Sequence, residues 1–356
     1  MNWPVNKLTA VCEISMGQAP DGSTYNDRAD GLPLVAGAGD FGDFFPSVKK
    51  YTSAPGKRSA VGDIILCIRA TIGDTNWSDK EYCLGRGVAG LRARDGLLDS
   101  RFLWHFISAR RSELEARGTG STFKQVSQAD IAEWLIPTPP VAEQQRIAAI
   151  LDKAHSLRSK RQETISLASE LVRSKFSEMF GEPHTNTKGL PMTSLGDLVR
   201  LKSGNFLPSY EMAGTGGVFV YGGNGVNGEH NTAMFDEVKL VIGRVGAYCG
   251  AVHLTKSHSW ITDNALYVSE ISPLVRLEYL AFALTQANLN QYSSQSGQPL
   301  VSASRLYPVV LVLPPLSLQD VFLEVLDRTT RVQASQTNSL EALEEMSRSL
   351  AFELFA

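Results

Sequence analysis

A glycine pattern typical of nucleotide-binding loops occurs near the start of the chain. Residues 37–42 fit the spacing GxGxxG. A dinucleotide site also needs a helix directly after the glycines, because the helix N-terminus holds the pyrophosphate. Here Phe44-Phe45-Pro46 and a lysine-rich loop follow instead. Gly56-Lys57 does not complete a phosphate-binding P-loop either, because Tyr51 stands where that motif has its first glycine. Nucleotide binding is therefore not predicted.

Side chains that could cut a bond or transfer a group are also poorly arranged. Residues 237–239 resemble the Glu-x-Lys element of a nuclease, but no second carboxylate is suitably spaced. His253 and His258 have no third metal ligand nearby in sequence. The catalytic motif of adenine methyltransferases, Asn/Asp-Pro-Pro-aromatic, does not occur. A stand-alone enzyme such as a metal-dependent nuclease is disfavoured, and we predict no catalytic residue and no metal site.

Length and composition restrict the class of protein further. The chain has 356 residues, with 34 Lys+Arg against 37 Asp+Glu and a formal net charge of −3. This length suits two domains. No apolar run approaches the ~20 residues that span a bilayer, and the first residues lack a signal-peptide pattern. Four cysteines without Cys-x-x-Cys spacing argue against a zinc ribbon or a disulfide framework, so we expect a cytoplasmic protein.

The sequence repeats itself at a spacing of about 175–187 residues. We align Asp63 with Asp236 and Gly73 with Gly246 within the second of five matched pairs of segments. The pairs are 8–20 with 195–208, 62–73 with 235–246, 101–107 with 278–284, 120–140 with 295–315, and 141–152 with 316–327. Five matches in the same order predict two similar units, each a mixed α/β globule followed by a long helix.

The two long helices share a heptad pattern. Residues 141–180 contain no glycine or proline, which predicts a rod about 57 Å long. The predicted seam of the first helix is Ile147, Leu151, Ala154, Arg158, Arg161, Ile165, Ala168, Val172, Lys175 and Met179. That of the second is Leu326, Thr329, Gln333, Gln336, Leu340, Leu343, Ser347, Leu350 and Leu354. Polar residues in the middle of a seam are typical of coiled coils with a fixed register.

The order of the segments predicts how the helices pair. The first helix leads from one globule to the other and the second must fold back, so an antiparallel two-helix coiled coil is expected. The alternative is that each helix packs only on its own globule. We predict an α+β fold with pseudo-two-fold symmetry, divided into a first α/β domain (1–140), a first long helix (141–182), a second α/β domain (183–315) and a second long helix (316–356).

One string in the first unit carries a family resemblance. Residues 136–147, IPTPPVAEQQRI, followed by AAILD (148–152), closely resemble the signature at the end of a target-recognition domain in specificity subunits of type I restriction–modification systems. The second copy is degraded, with Leu318-Gln319 where the first has Glu143-Gln144. The family also has the order recognition domain, helix, recognition domain, helix, so the resemblance covers the whole chain.

The resemblance implies a division of labour between subunits. A specificity subunit is non-catalytic and binds no cofactor. It reads a bipartite DNA site, one half per recognition domain, and because the two globules differ in sequence the site should be asymmetric. It recruits two modification subunits, which bind S-adenosylmethionine and methylate adenine at N6, and restriction subunits, which use ATP and Mg²⁺ for translocation and cleavage. No membrane is involved. The alternative from another class is an adaptor that no longer reads DNA.

Loops of both globules hold the residue types that contact double-stranded DNA. Arginine favours guanine, whereas asparagine and glutamine favour adenine, and lysines contact phosphates. The first-globule candidates are Lys49, Lys50, Lys57, Arg58, Arg69, Thr71, Thr122, Lys124 and Gln125. The second-globule candidates are Tyr221, Asn224, Asn227, Arg244, Tyr248, Gln295 and Gln298. Each could instead be a solvated loop residue. Arg69 and Arg244 are best supported, because the repeat places both at the same strand end.

A second set of candidate residues joins the helices. These are the apolar seam positions Leu151, Ile165, Val172, Leu326, Leu340, Leu343 and Leu350. Together the two sets predict a protein that binds DNA and partner subunits and catalyses nothing itself.

Overall fold

The computed structural model describes residues 3–120, 124–181, 186–212, 217–294 and 297–355. The chain divides into two compact units. The first comprises residues 1–163 and 337–356, and the second comprises residues 164–336. Each long helix therefore contributes residues to both units, which are described separately below.

The first unit begins with three strands and a short helix: β1 (Val5–Lys7), α1 (Leu8–Val11), β2 (Cys12–Met16) and β3 (Tyr25–Asn26). Six strands follow: β4 (Leu32–Val35), β5 (Tyr51–Thr52), β6 (Ile64–Cys67), β7 (Thr75–Trp77), β8 (Cys83–Leu84) and β9 (Val88–Ala93). The remaining elements are α2 (Ser100–Ala109), α3 (Arg111–Arg117), α4 (Gln128–Ala132), β10 (Leu135–Pro137) and the long helix α5 (Val141–Phe180).

Two sheets organise the first unit. The larger is antiparallel with strand order β2-β9-β6-β7, and the smaller has the order β3-β5-β4-β8, in which β4 and β8 run parallel. Strands β1 and β10 form a separate antiparallel pair. The core lies between the larger sheet and helices α2 to α5, and Phe102, Phe106 and Trp134 are among its fully buried side chains.

The second unit has the same architecture. Its elements begin with β11 (Met192–Ser194), α6 (Leu195–Leu198), β12 (Val199–Ser203), β13 (Val218–Gly222), β14 (Gly225–His230) and β15 (Leu240–Gly243). They continue with β16 (Val252–Leu254), β17 (Ser259–Ile261), β18 (Ala265–Ile271), α7 (Leu277–Gln286), α8 (Ala303–Leu306), β19 (Val310–Val312) and α9 (Leu316–Phe355). The sheet β12-β18-β15-β16 repeats the larger sheet of the first unit, whereas the smaller sheet has three strands, β14-β13-β17.

The predicted α+β fold with two similar units is thus confirmed, but one of the five alignments was wrong. Strands β6 and β15 occupy the same place in their sheets, so Ile64 corresponds to Leu240 and Asp63 to Lys239, not to Asp236. The sequence alignment is three residues out of register there. The reason is that the loop after the strand holds two glycines in the second unit. The alignment equates Gly73 with Gly246, but the bonds of Gly73 N to Cys67 O and of Gly250 N to Gly243 O make Gly250 its counterpart.

Within each unit the long helices pair in antiparallel fashion, as predicted. In the second unit, Gln333 Nε2 donates to Ile165 O at 3.2 Å and to Ser169 Oγ at 2.7 Å. Phe322, eleven positions earlier on α9, meets Phe180 with ring centroids 5.6 Å apart. In the first unit, Arg158 lies 3.3 Å from Glu344. The polar seam position Gln333 therefore fixes the register by a cross-helix hydrogen bond.

Burial follows the heptad pattern closely. All predicted seam positions of α9 are buried or half-buried, and on α5 Arg158 alone among them is exposed. Of the candidate helix-pairing residues, Leu151 and Val172 are buried, and Ile165, Leu326, Leu340, Leu343 and Leu350 are half-buried. Helix α5 ends at Phe180, earlier than the predicted 182, because Gly181 takes a left-handed φ of 75° and caps the helix by bonding to Ser177 O.

A fully buried glutamine joins the start of each long helix to its unit. Gln144 Oε1 accepts from Asp99 N at 2.8 Å, and its Nε2 donates to Leu97 O at 3.0 Å and Pro139 O at 2.8 Å. All amide hydrogens and the carbonyl oxygen are thus satisfied, as burial requires. We call this arrangement the glutamine clamp.

The second unit contains the same clamp. Gln319 Oε1 accepts from Arg276 N at 2.8 Å, and its Nε2 donates to Leu274 O at 3.0 Å and Pro314 O at 2.8 Å. The degraded second copy of the signature therefore keeps the glutamine that joins the long helix to its unit. Its loss of the preceding glutamate matters less, because Glu143 in the first copy is bonded only to Arg146 on the same helix face among the described residues.

The clamp predicts a large effect of a nearly isosteric change. We expect Gln144→Leu to lower the free energy of unfolding of the first unit by about 2–4 kcal/mol, because two backbone carbonyls and one amide lose their buried partner. The adjacent, exposed Gln145→Leu is the matched control and should change it by less than about 0.5 kcal/mol. Denaturant unfolding monitored by tryptophan fluorescence measures both. Equal losses in the two variants would contradict the clamp.

Candidate nucleic-acid interface

In the first unit, four strand ends meet at one place. The turn 84–88 between β8 and β9 hydrogen-bonds to the end of β2 through Gly17, to the end of β4 through Val35 and to the end of β6 through Ile68, at 2.8 to 2.9 Å. The segment 124–126 closes the arrangement, since Val126 N bonds to Ile68 O at 3.1 Å. We call residues 17–18, 68–71, 84–88 and 124–125 the first edge.

Glycines make this close meeting of backbones possible. A Cβ on Gly17 would lie 2.1 Å from Gly85 O, and one on Gly87 would lie 2.1 Å from Ala36 O. Neither distance leaves room for any side chain, and the obstructing atoms belong to backbone that cannot rotate away. The first edge is therefore a fixed backbone frame, on which the side chains that point outward are free to differ.

Arg69 is the best-positioned side chain of the first edge. Its Nε donates to Gln125 Oε1 at 2.6 Å, which joins two of the predicted candidates. None of the described residues accepts a hydrogen bond from its two terminal amino groups. Ala70 holds the following turn with φ of 59° and bonds to Lys124 O. An arginine held through Nε keeps the paired donors with which guanidinium groups bind guanine or phosphate.

Two exposed side chains of the first edge were missed from sequence. Arg86 lies in the turn 84–88, and Gln18 follows Gly17, with its N–H bonded to Leu84 O at 2.8 Å. The repeat contained a signal for Gln18, because the glycines aligned at 17 and 204 are each followed by an amide residue. Arg86 had no such signal, since its counterpart in the second unit has a different charge.

The second unit builds its edge in the same way. Gly204 N bonds to Ala265 O at 3.1 Å, Arg244 N bonds to Asn264 O at 3.0 Å, and Val301 N bonds to Arg244 O at 2.9 Å. Arg244 also donates through Nη1 to Ser203 Oγ at 3.2 Å. We call residues 204–205, 244–248, 261–265 and 298–300 the second edge.

The backbone pattern gives the positions of the two arginines in their units. Val126 and Val301 are corresponding donors, and their acceptors are Ile68 and Arg244. Arg244 therefore matches Ile68, and Val245 matches Arg69. The two arginines therefore stand at the same strand end, as the repeat predicted, but one residue apart.

Corresponding positions of the two edges differ in chemistry. The bonds of Ile68 to Gly87 and of Arg244 to Asn264 make position 86 correspond to 263, so Arg86 is matched by Asp263. The isolated bridges Arg69↔Gln125 and Val245↔Leu300 likewise match Gln125 with an apolar residue. The two edges therefore share a backbone hydrogen-bond pattern but differ in the charge and polarity of their side chains.

One candidate of the second unit is not a surface residue. Tyr221 is 5% exposed, lies in β13, and its hydroxyl accepts from Lys256 N at 3.0 Å. The stretch 221–227, expected to be a loop, is a β-hairpin with Gly223-Asn224 at its turn. Tyr221 is thus a core residue, because it packs in a buried cluster with Ile261 and Tyr267. Asn224 and Asn227 are exposed, and Asn227 sits at a bulge in the β13–β14 pairing.

Some of the other candidates lie on the edges, and others lie beside them or elsewhere in the units. Tyr248 is 55% exposed and Gln298 is exposed, both on the second edge, and Thr71 and Lys124 are exposed on the first. Lys57 borders the first edge, since its carbonyl accepts from Leu84 N. Lys49, Lys50 and Arg58 are exposed beside the smaller sheet, with Arg58 3.9 Å from Glu81. Thr122 and Gln295 lie outside the described residues.

A buried thiol supports the arginine-bearing segment in each unit. Cys67 Sγ donates to Arg69 O at 3.1 Å, and Cys249 Sγ donates to Arg244 O at 3.3 Å. Burial raises the pKa of Cys249, so its thiol keeps the proton that it donates. Cys67 is the last residue of β6, whereas Cys249 lies in the loop after β15. The two thiol hydrogen bonds therefore come from positions that do not correspond in the two units.

Neither a metal-binding group nor a membrane-spanning helix occurs among the described residues. In the part of the chain that the structure describes, no three His, Cys, Asp or Glu side chains are grouped as a metal site would need. Nor is any helix of the described ranges both long enough and apolar enough to cross a membrane.

The fold and the edges define a class, namely proteins with two similar recognition units joined by a pair of long helices. The sequence profile of the family described as the type I restriction modification DNA specificity domain matches residues 1–167 and 188–345. The chain belongs to this family.

Individual relatives agree with the family assignment. A putative type I restriction enzyme MjaX specificity subunit of Methanocaldococcus jannaschii is 33% identical over 176 residues, which are 48% of this chain and 41% of that protein. The type I restriction enzyme EcoprrI specificity subunit of Escherichia coli is 24% identical over 326 residues, 86% of this chain and 80% of the relative. The chain thus spans about two-fifths of the first relative's length and four-fifths of the second's.

A solved structure shares the fold over the whole chain. The type I restriction–modification S subunit of M. genitalium has a TM-score of 0.73 at 16% identity, and the match covers 100% of this chain and 96% of that one. The architecture predicted from the repeat and the heptads is therefore one that a solved specificity subunit also adopts.

The glycine frame of the first edge leads to a stability prediction. We expect Gly87→Ala to lower the free energy of unfolding by about 2 kcal/mol or more, because its Cβ would collide with Ala36 O. Gly56→Ala is the matched control, since no atom lies within 4 Å of a Cβ at that position. Urea unfolding of both variants provides the measurement. A Gly87 variant as stable as the Gly56 variant would refute the close approach.

Proposed function

We propose that this chain is the DNA-sequence-specificity subunit of a type I restriction–modification complex, and that it reads a bipartite, asymmetric DNA site with one half per unit. The observation that carries the proposal is the pair of edges. Both edges use the same backbone hydrogen bonds and a tightly packed glycine, Gly17 or Gly204, yet corresponding positions carry Arg86 against Asp263 and Gln125 against Leu300. Two similar readers with different side chains are suited to two different half-sites.

The chemistry of each edge indicates what it would contact. On the first, Arg69 offers two terminal amino groups for guanine O6 and N7, and the exposed Gln18 suits adenine. Lys57 and Lys124 flank the edge and would contact phosphates. In the second unit, Arg244 on the edge and Asn224 and Asn227 on the β13–β14 hairpin would be the donors, whereas Asp263 would accept from a cytosine amino group.

The net charge of −3 affects how strongly the chain alone would bind. DNA affinity rises with the number of phosphates that are neutralised, and no long basic surface segment occurs in the sequence. Binding by the isolated chain should therefore be weak and salt-sensitive. Partner subunits would supply much of the phosphate contact.

The partners follow from the family. Two modification subunits would bind S-adenosylmethionine and methylate adenine at N6, and restriction subunits would bind ATP and Mg²⁺ for translocation and cleavage. In this arrangement the chain contributes no catalytic residue and no cofactor site, and it acts in the cytoplasm where the chromosome and invading DNA meet the complex.

A genome-wide adenine-methylation map tests the proposal directly. The chain is expressed with its neighbouring modification subunit in cells that lack other adenine methyltransferases. We expect one new two-part motif with a fixed gap and unlike halves. A palindromic motif would show that a single unit reads both halves in two copies of the chain. A stable complex without any motif would favour the adaptor alternative.

Single substitutions test which half of the DNA site each unit reads. Arg69→Ala should relax one base of one half-site, and Arg244→Ala one base of the other, each by a discrimination of about tenfold to a hundredfold because a bidentate base contact is lost. Arg146→Ala is the control, since that exposed arginine pairs with Glu143 at the start of α5. Both arginines affecting the same half would contradict the assignment.

The Arg69–Gln125 hydrogen bond makes a separate prediction. Gln125→Leu places in the first unit the residue that the second unit has at the matching position, Leu300, so the fold should tolerate it. We expect about tenfold weaker binding of the assembled complex to its site, about 1.4 kcal/mol, because Arg69 loses the group that orients it. The exposed Gln128→Leu serves as control. Unchanged affinity in the Gln125 variant would exclude an orienting role.

A further inference from the structure

A wide cleft lies in the first unit, away from the first edge along the chain. Its volume is about 820 Å³. One wall is the loop that carries Phe44 and Phe45 together with strand β7, and the other is formed by helix α2 and residues 141–155 of α5. None of the candidate DNA-contact residues lines it.

Aromatic side chains form much of the wall. Trp77 and Trp104 are stacked, with ring centroids 5.0 Å apart and an interplanar angle of 14°. Phe44 and Phe45 are 49% and 51% exposed, and Phe44 meets the ring of His155 edge-on at 5.8 Å. Exposed aromatic groups gathered in one concave place mark an interaction site more often than scattered ones do.

The same cleft is strongly acidic. Asp79, Asp95 and Asp99 line it, and no Lys or Arg of the described residues lies within 4.0 Å of their carboxylates. Asp99 accepts from two backbone amides at the start of α2, and Asp79 accepts from Tyr82 Oη at 2.5 Å.

The positive groups of the cleft are already occupied. Arg101 lies 2.6 Å from Asp152, and His105 Nε2 lies 2.9 Å from the other oxygen of the same carboxylate. Burial lowers the pKa of His105, which keeps its ring largely neutral near pH 7. The cleft therefore has a surplus of negative charge beside partly exposed aromatic rings.

The second unit shows that the fold does not require these residues. The register of β7 and β16 matches Trp77 with Leu254 and Asp79 with Lys256. The two glutamine clamps match Asp99 with Arg276, and hence Trp104 with Ala281. At four corresponding positions the second unit has two aliphatic and two basic residues. The aromatic and acidic character of the cleft is thus a property of the first unit alone.

We propose that this cleft binds an arginine- or lysine-bearing segment of a partner protein, with the cation held over the indole and phenyl faces and paired to the aspartates. A cation over an aromatic face is attracted by the ring, and more so where carboxylates are near. DNA is excluded as the occupant, because the phosphates would meet three unpaired carboxylates. The proposal goes beyond the proposed function, which assigns only the edges.

The test uses the full chain and the tripeptide acetyl-Gly-Arg-Gly-amide, with acetyl-Gly-Glu-Gly-amide as the charge control. Binding is followed by tryptophan fluorescence and by NMR of the indole N–H groups. We expect saturable binding of the arginine peptide that perturbs the two cleft indoles, and no binding of the glutamate peptide.

Two variants locate the site. Asp95→Lys should weaken binding at least fivefold, and the exposed Asp27→Lys, which makes the same charge change elsewhere in the unit, should leave it unchanged. Trp104→Ala, the residue that the second unit has at this position, should also abolish saturation while the unfolding midpoint reports on folding. Equal weakening by both lysine variants, or no saturable binding, would overturn the proposal. Neither readout uses DNA, so failure here leaves the proposed function intact.

Discussion

The glutamine clamp is the interaction on which the rest of the structure depends. A helix that starts inside a domain leaves backbone amides and nearby loop carbonyls without partners. In both units the proline pair before the helix removes two of the backbone N–H groups, and one buried amide side chain satisfies the loop that precedes α2 or α7. The same three hydrogen bonds therefore connect the long helix, the proline pair and the globule. A side chain of any other type would leave at least one of these groups unpaired, which explains why glutamine survives in the diverged second signature.

Each long helix is also fixed at its far end by an aromatic side chain. Phe180, at the end of α5, packs in the second unit against Tyr279 and Phe322. Phe355, at the end of α9, packs in the first unit against Phe102 and Phe106. The helices thus begin and end in cores, and the polar middle of the seam, where burial is least, is fixed in register by Gln333. Such an arrangement places most of the stability at the helix ends and most of the specificity of pairing at the centre.

Sequence predicts this protein well where the physical rule acts along the chain. The heptads, the proline pairs and the repeat order depend on local spacing, so the helices and the two units were predictable. Prediction was wrong where contacts across strands decide the outcome. Pairing Gly73 with Gly246 instead of Gly250 moved the alignment out of register, and Tyr221 turned out to be buried because its stretch forms a strand and not a loop. Arg86 was missed because nothing in its local sequence marks a turn that bonds to three other strand ends.

The two edges explain how one fold can hold two different readers. Their frames are made of backbone hydrogen bonds and of glycines that tolerate no side chain, so the frame resists change. The outward side chains contribute nothing to that frame, and Arg86 against Asp263 illustrates how far they can diverge without disturbing it. Base contacts depend on the identity of such side chains, whereas the position of the backbone depends on the frame. Selection can therefore alter the half-site of one unit while the other unit, the helices and both clamps stay as they are. The asymmetry of the proposed site is the expected consequence of duplicating a rigid frame whose reading side chains evolve independently.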